Sequence, residues 1–270
     1  KMNWNKLLTV LLCFFLLQAC KKEVADANSK LNGNLLLHFD NKAGNNDLTL
    51  NADTLKNALG QDFVVSKFNY YISNIQLLNK DGSTYTYPQN ESYFLVKESD
   101  KTTQEIQLNN IPEGDYEGLR FTIGVDSLKS VSKIADRTGV LDPTDGGADM
   151  YWGWNSGYIF LKLEGNSSFA PVLDSSTMER PIEYHIGLFG LNGATNNLKT
   201  ITIPFNGSVA AVRQNKANIP TVHLFADALK VLSGSSSIDF TIESTILSDK
   251  NSINIANNYQ HMFSLDYIQY

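Results

Sequence analysis

Two tryptophans, Trp152 and Trp154, stand two residues apart in DMYWGWNSGYIFLKLEG (149–165), behind a loop rich in Asp, Gly and Pro. On a strand, residues i and i+2 face the same side. Both indoles would then share one face, with Tyr151 opposite. Three chemistries are open to such a pair: core packing, an exposed stacking platform for sugar rings, or a redox-active indole with an aromatic neighbour to relay the electron hole. Four histidines, His38, His185, His223 and His261, each sit among apolar residues. Neutral imidazole suits Cu, Zn, Fe and Ni. No two of them form a local metal motif, so a metal centre has to be assembled from distant strands. His185, in EYHIG (183–187), leads because Gly187 permits close approach of backbone or ligand. His38 shares a strand face with Leu36 and Asp40, and His223 with Thr221 and Phe225. Asp142, Asp145 and Asp149 supply oxygen ligands of the kind Ca²⁺ takes, in an order unlike an EF-hand, and calcium stands as a second expected ion beside a solvated loop.

Other chemistry is missing. The chain has no G-x-S-x-G, no P-loop and no G-x-G-x-x-G. Carboxylates are frequent, but no spacing singles out a catalytic pair. The expectation is a binding protein with no enzyme activity.

The elements that must hold these residues alternate with period two. Strands are expected at 34–40, 63–78, 84–87, 92–96, 103–108, 116–125, 157–164, 182–187, 199–205, 209–213, 221–225, 237–244 and 263–270. Asp81-Gly82 and Pro112-Glu-Gly-Asp115 carry turn residues. Short helical segments are expected near 127–135, 226–232 and 253–262. The pattern is all-β: an antiparallel sandwich or flattened barrel with two or three short helices.

The first residues read as an export signal. Lys1 and Lys6 precede an apolar run from Leu7 to Leu17. That run falls short of the roughly 20 residues of a membrane-spanning helix but suits a signal peptide. Leu17-Gln18-Ala19-Cys20 resembles a bacterial lipobox. The expected organisation is a signal peptide at 1–19, a lipidated Cys20 and polar tether over 20–34, and one β domain over 35–270. The site of action is then the bacterial outer membrane or cell surface, with the domain facing the periplasm or the exterior. Both cysteines, Cys13 and Cys20, lie in this leader, so the β domain has no thiol with which to ligate a metal. Removing 1–19 takes away two lysines and no acid, moving the formal charge from -6 to -8. An acidic domain argues against nucleic acid as a partner and leaves membrane attachment to the lipid anchor.

Seven blocks are similar to the MbnP-like family of exported copper-binding proteins, related to a methanobactin-operon partner protein and to methanotroph surface copper-binding proteins. They are VSKFNYYISNI (65–75), ESYFLV (91–96), FTIGVD (121–126), LDP (141–143), MYWGWNSGY (150–158), EYHIG (183–187) and YQHMFSLD (259–266). The resemblance implies copper held with histidines, His185 matching its family position. It also implies a Trp oxidised to kynurenine, with Trp154 ahead of Trp152, and a partner di-haem protein of the peroxidase type. Many lipoprotein relatives carry His where this chain has Asn41, Phe94, Tyr267 and Gln269. Two alternatives accompany the copper reading: a surface glycan-binding lipoprotein that stacks sugars on Trp152 and Trp154, and a structural lipoprotein that has lost metal binding.

Overall fold

In the first strand, inward Leu35, Leu37, Phe39, Asn41 and Ala43 alternate with outward Leu36, His38, Asp40 and Lys42. That alternation is the signature of a strand with one face on a core. The computed structural model describes residues 31–153, 157–214, 218–248 and 250–270. The lipobox, Cys20, the tether up to residue 30, and Trp154 lie outside the described residues. Asn32–Tyr270 forms one compact unit.

The described strands, in chain order, are β1 (Asn32–Ala43), β2 (Asn46–Asp47), β3 (Leu55–Lys56), β4 (Asp62–Asn79), β5 (Thr84–Thr86), β6 (Tyr93–Lys97), β7 (Glu105–Pro112) and β8 (Gly114–Ile123). They continue with β9 (Tyr151–Trp152), β10 (Gly157–Asn166), β11 (Pro181–Gly187), β12 (Lys199–Pro204), β13 (Ala210–Val212), β14 (Thr221–Asp227), β15 (Thr245–Ile246) and β16 (Phe263–Gln269). Three short α-helices join them: α1 (Ser127–Ser130), α2 (Leu229–Leu232) and α3 (Ser252–Tyr259).

The smaller sheet runs β16-β14-β1-β2, with β7 also on β1. The larger runs β12-β8-β4-β10-β11-β15, with β3, β5 and β6 also on β4, β9 on β10 and β13 on β8. The expected sandwich is therefore present and mostly antiparallel. Two pairs are parallel, β1 with β14 and β11 with β15. Rings from both sheets meet between them. Phe39 of β1 and Phe263 of β16 make edge contacts with Tyr70 of β4 and Phe121 of β8 at centroid distances of 5.1 to 6.3 Å.

β4 is long enough to serve two neighbours in turn. β10 pairs with residues 64–70 and β8 with 72–79, both opposite the edge that β6 takes at 69–73. From Phe68 to Ser73 β4 is buried on both faces, because the segment between α1 and β9 folds over its outer side. Tyr71 donates its hydroxyl to Val140 O at 2.6 Å, and Tyr158 donates to Leu141 O at 2.6 Å. A second, smaller core forms there from Tyr71, Tyr93, Leu95, Val125, Leu141, Met150, Trp152, Tyr158, Ile159 and Phe160.

Most expected elements fall within a few residues of the observed ones, including the turn at Gly82, whose φ of 82° suits glycine. The strand expected at 237–244 is absent. Asp239 takes the Thr241 N–H and hydroxyl on its carboxylate, and its carbonyl accepts from Ile242 and Glu243. These local bonds turn the chain and leave only Thr245–Ile246 to pair with β11.

Candidate functional site

The described histidines of interest occupy two places. On the outer face of the smaller sheet, the parallel register puts His38 of β1 directly beside His223 of β14. Their ring centroids are 5.1 Å apart. Across β1, His38 faces Glu105 of β7, with Nδ1 3.9 Å from the carboxylate. Between β14 and β16 the register slips, so Asp266 and Tyr267 together oppose the single residue His223. The Tyr267 ring stacks on His223 at 4.1 Å and 15°. Glu105, His38, His223 and Tyr267 thus form a row across four strands.

His223 is biased toward its neutral form. Burial lowers its pKa below the usual imidazole value, and the neighbouring His38 adds to that; a side-chain hydrogen bond with Gln269 and the charges of Asp266 and Asp40 oppose it. Its Nε2 is buried and has no hydrogen-bond partner. A buried imidazole nitrogen without a partner is uncommon and asks for an explanation. Two nitrogens bound to one ion at about 2.0 Å each lie up to about 4 Å apart, a span that adjacent rings on neighbouring strands can meet.

His185 sits elsewhere, on the outer face of the larger sheet. Its Nε2 is 2.8 Å from Glu164 Oε1, a diagonal pair across β10 and β11. Lys162, directly opposite His185, is nearly buried. Lys162 donates to the Asp149 carbonyl and, at 3.0 Å, to the Asp149 carboxylate. Lys67 lies 3.3 Å from Asp149 and 3.5 Å from Glu164. The hydrogen bond from His185, with Lys67 and Lys162 nearby, brings the Glu164 pKa down to about 2 against the pull of burial. Burial alone would raise Asp149, but Lys162 and Lys67 bring it below the usual carboxylate value. The site is a closed network of acids and ammonium groups, and its one imidazole is already committed to a carboxylate.

Trp152 lies two residues along that same face, over Gly187. A Cβ on Gly187 would sit 2.7 Å from the indole and 2.3 Å from Tyr158 O. This close approach explains why glycine stands there. Trp152 is 5% exposed and packs in the smaller core. That burial corrects the sugar-platform expectation for Trp152, since a ring enclosed in this core and set over Gly187 has no free face to offer.

The remaining expected residues disperse. Asp142 spends Oδ1 on the Thr144 N–H and hydroxyl, and Asp149 is paired with the two lysines, so the three loop carboxylates do not converge. Among the described residues, no group of three or more His, Cys, Asp or Glu side chains is placed to hold a metal. His261 is exposed near the end of α3. Asn41 is fully buried, donating to Glu98 at 3.0 Å and accepting from the Tyr70 hydroxyl at 2.8 Å. Phe94 packs partly against the main core. Tyr267 and Gln269, by contrast, both touch His223. Sequence reading missed Glu105 and Glu164 as histidine partners; the only available signal was their outward position on expected strands.

The MbnP family profile matches residues 32–260. In structure, the chain is similar to MbnP from Methylosinus trichosporium at a TM-score of 0.46 and 15% identity, covering 80% of this chain and 81% of that one. No curated protein matches it. The family match spans nearly the whole sandwich, from β1 to the end of α3, and the chain belongs to the MbnP family.

Proposed function

We propose that this chain is a non-enzymatic copper-binding protein whose ion is held by His38 and His223. The observation that carries the reading is the paired imidazoles on adjacent parallel strands, one of them with a buried, unpartnered Nε2. Imidazole is a good copper donor, and the two rings need no thiolate. Zn²⁺ usually fills four positions, more than the described residues gather here. Cu(I) is content with two nitrogen donors, so it is the oxidation state this pair fits best. Tyr267 caps His223, and Glu105 faces His38 from the other side. Bound copper supplies a redox-active cation; the protein's part is to keep His223 neutral and both rings side by side. X-ray absorption of the Cu(I)-loaded protein tests the reading. Two imidazole nitrogens at about 2.0 Å are expected, and a first shell of water or carboxylate oxygen alone would refute it.

The same reading includes a domain tethered by lipidated Cys20 to the bacterial outer membrane or cell surface. It also includes oxidation of Trp154 or Trp152 to kynurenine by a di-haem partner. The position of Trp152 on the face of His185 supports attention to that region. Mass spectrometry of protein from cells containing the partner distinguishes kynurenine from Trp, and unmodified peptides there would remove this part of the reading.

A further inference from the structure

Between Val131, the start of β10 and the loop after β11 lies a cavity of about 460 Å³. Val131, Tyr158, Leu188, Phe189 and Leu191 give it a largely apolar wall, and Val131 and Leu191 at its rim are 58% and 53% exposed. Ser130, Asn192 and Arg137 are its polar lining residues, and of these Arg137 alone is charged, at only 8% exposed.

Arg137 is anchored from behind. Its Nε donates to Ser132 O at 3.1 Å, and its Nη2 donates to Ser130 O at 2.9 Å and Ser132 O at 2.7 Å. Nη1 donates to the Tyr151 hydroxyl at 3.0 Å. All of these acceptors are neutral. They satisfy four of the five guanidinium N–H groups but leave the charge without a counter-ion, and no described Asp or Glu forms an ion pair with it. The fifth N–H, on Nη1, has only the Tyr158 phenol oxygen beside it, whose own proton goes to Leu141 O, and both Arg137 and Tyr158 line the cavity. A buried charge is expensive unless paired, and guanidinium is the side chain best shaped to grip a carboxylate. The pocket therefore has the usual make-up of a small-molecule site: a concave, mostly apolar wall of suitable size with a few polar groups, one of them charged, to orient the ligand.

We infer that this cavity binds a small monocarboxylate with an apolar body, its carboxylate on Arg137 and its apolar part between Tyr158, Leu188 and Leu191. The site is separate from the histidine pair and does not depend on copper.

Calorimetric titration of the intact protein with decanoate, and with decanol as the uncharged match, tests the inference. Decanoate is expected to bind one to one, at least about tenfold more tightly than decanol, a gap of about 1.4 kcal/mol. Arg137→Gln is expected to erase that gap while leaving decanol unchanged. Leu191→Trp alters an exposed rim residue, and so keeps the fold and Arg137 intact. It is expected to abolish binding by filling the cavity, and it decides the matter should Arg137→Gln fail to fold. Equal affinity for decanoate and decanol, no binding of decanoate, or decanoate binding unchanged in Leu191→Trp would each overturn the inference.

Discussion

The two histidine regions use the same side chain in opposite ways. On the smaller sheet, His38 and His223 come from strands that run parallel and in register, so two like groups are forced together and one nitrogen is left without a partner. On the larger sheet, His185 stands alone among Glu164, Lys162, Lys67 and Asp149, and every charge has an opposite within reach. The first arrangement is poorly satisfied by the protein itself and is suited to receive a cation. The second is fully satisfied internally, and ties the chain before β9 down onto β4 and β10. A cation arriving at His185 would have to break the Glu164 contact beside two ammonium groups. Binding chemistry and structural chemistry are thus distinguished by what the neighbours already supply, not by the histidine.

The comparison can be broken from either side. The largest expected effect is on the structural side. Trp152→Ala should destabilise the fold by about 3–5 kcal/mol, as for other buried large-to-small changes, with copper stoichiometry unchanged; denaturant unfolding and a Cu(I) titration check both halves. Gly187→Ala pushes a methyl group into the same indole and into Tyr158 O, with a cost of about 1–3 kcal/mol or more in unfolding experiments. Glu164→Gln is milder. Glu164 is paired in the folded state and titrates near 2, so its contribution is present above the ordinary carboxylate pKa and is lost as pH falls toward 2. The variant should be less stable than the parent at neutral pH by about 1 kcal/mol, the scale of partly exposed pairs, and the difference should vanish at low pH.

The binding side has its own pH signature. Because the His223 pKa is depressed, the folded protein favours its neutral form. Its contribution to stability is present above the unfolded imidazole value and is lost as pH falls below it. Copper affinity should follow the same direction, dropping by up to about tenfold per pH unit for each imidazole that takes up a proton. An affinity that stays flat from neutral pH to well below the imidazole range would point to carboxylate ligands instead.

Much of the scaffold was legible because it is local. The alternation in 34–40 and the long aromatic run at 63–78 name β1 and β4 without help from the rest of the chain. The strand expected at 237–244 failed for an equally local reason, since Asp239 and Thr241 offered the backbone a turn that hydrophobic alternation does not register. The site was less legible. His38 and His223 were named as candidate donors, and even their outward faces were readable, but their contact depends on a parallel register between segments far apart in sequence. The bulge that brings Tyr267 onto His223 is likewise a property of pairing, not of either strand alone. His185 drew attention through EYHIG, yet Gly187 makes room for Trp152 rather than for a ligand of His185.

The most direct test sets the two regions against each other in one experiment: competitive Cu(I) titration of the parent protein beside His38→Ala, His223→Ala and His185→Ala. Loss of either paired imidazole should weaken copper by more than about 100-fold, beyond the 10–100-fold typical of losing an outer-shell partner, while His185→Ala binds as the parent does. The account is contradicted if His185→Ala loses copper and the two variants of the pair retain it.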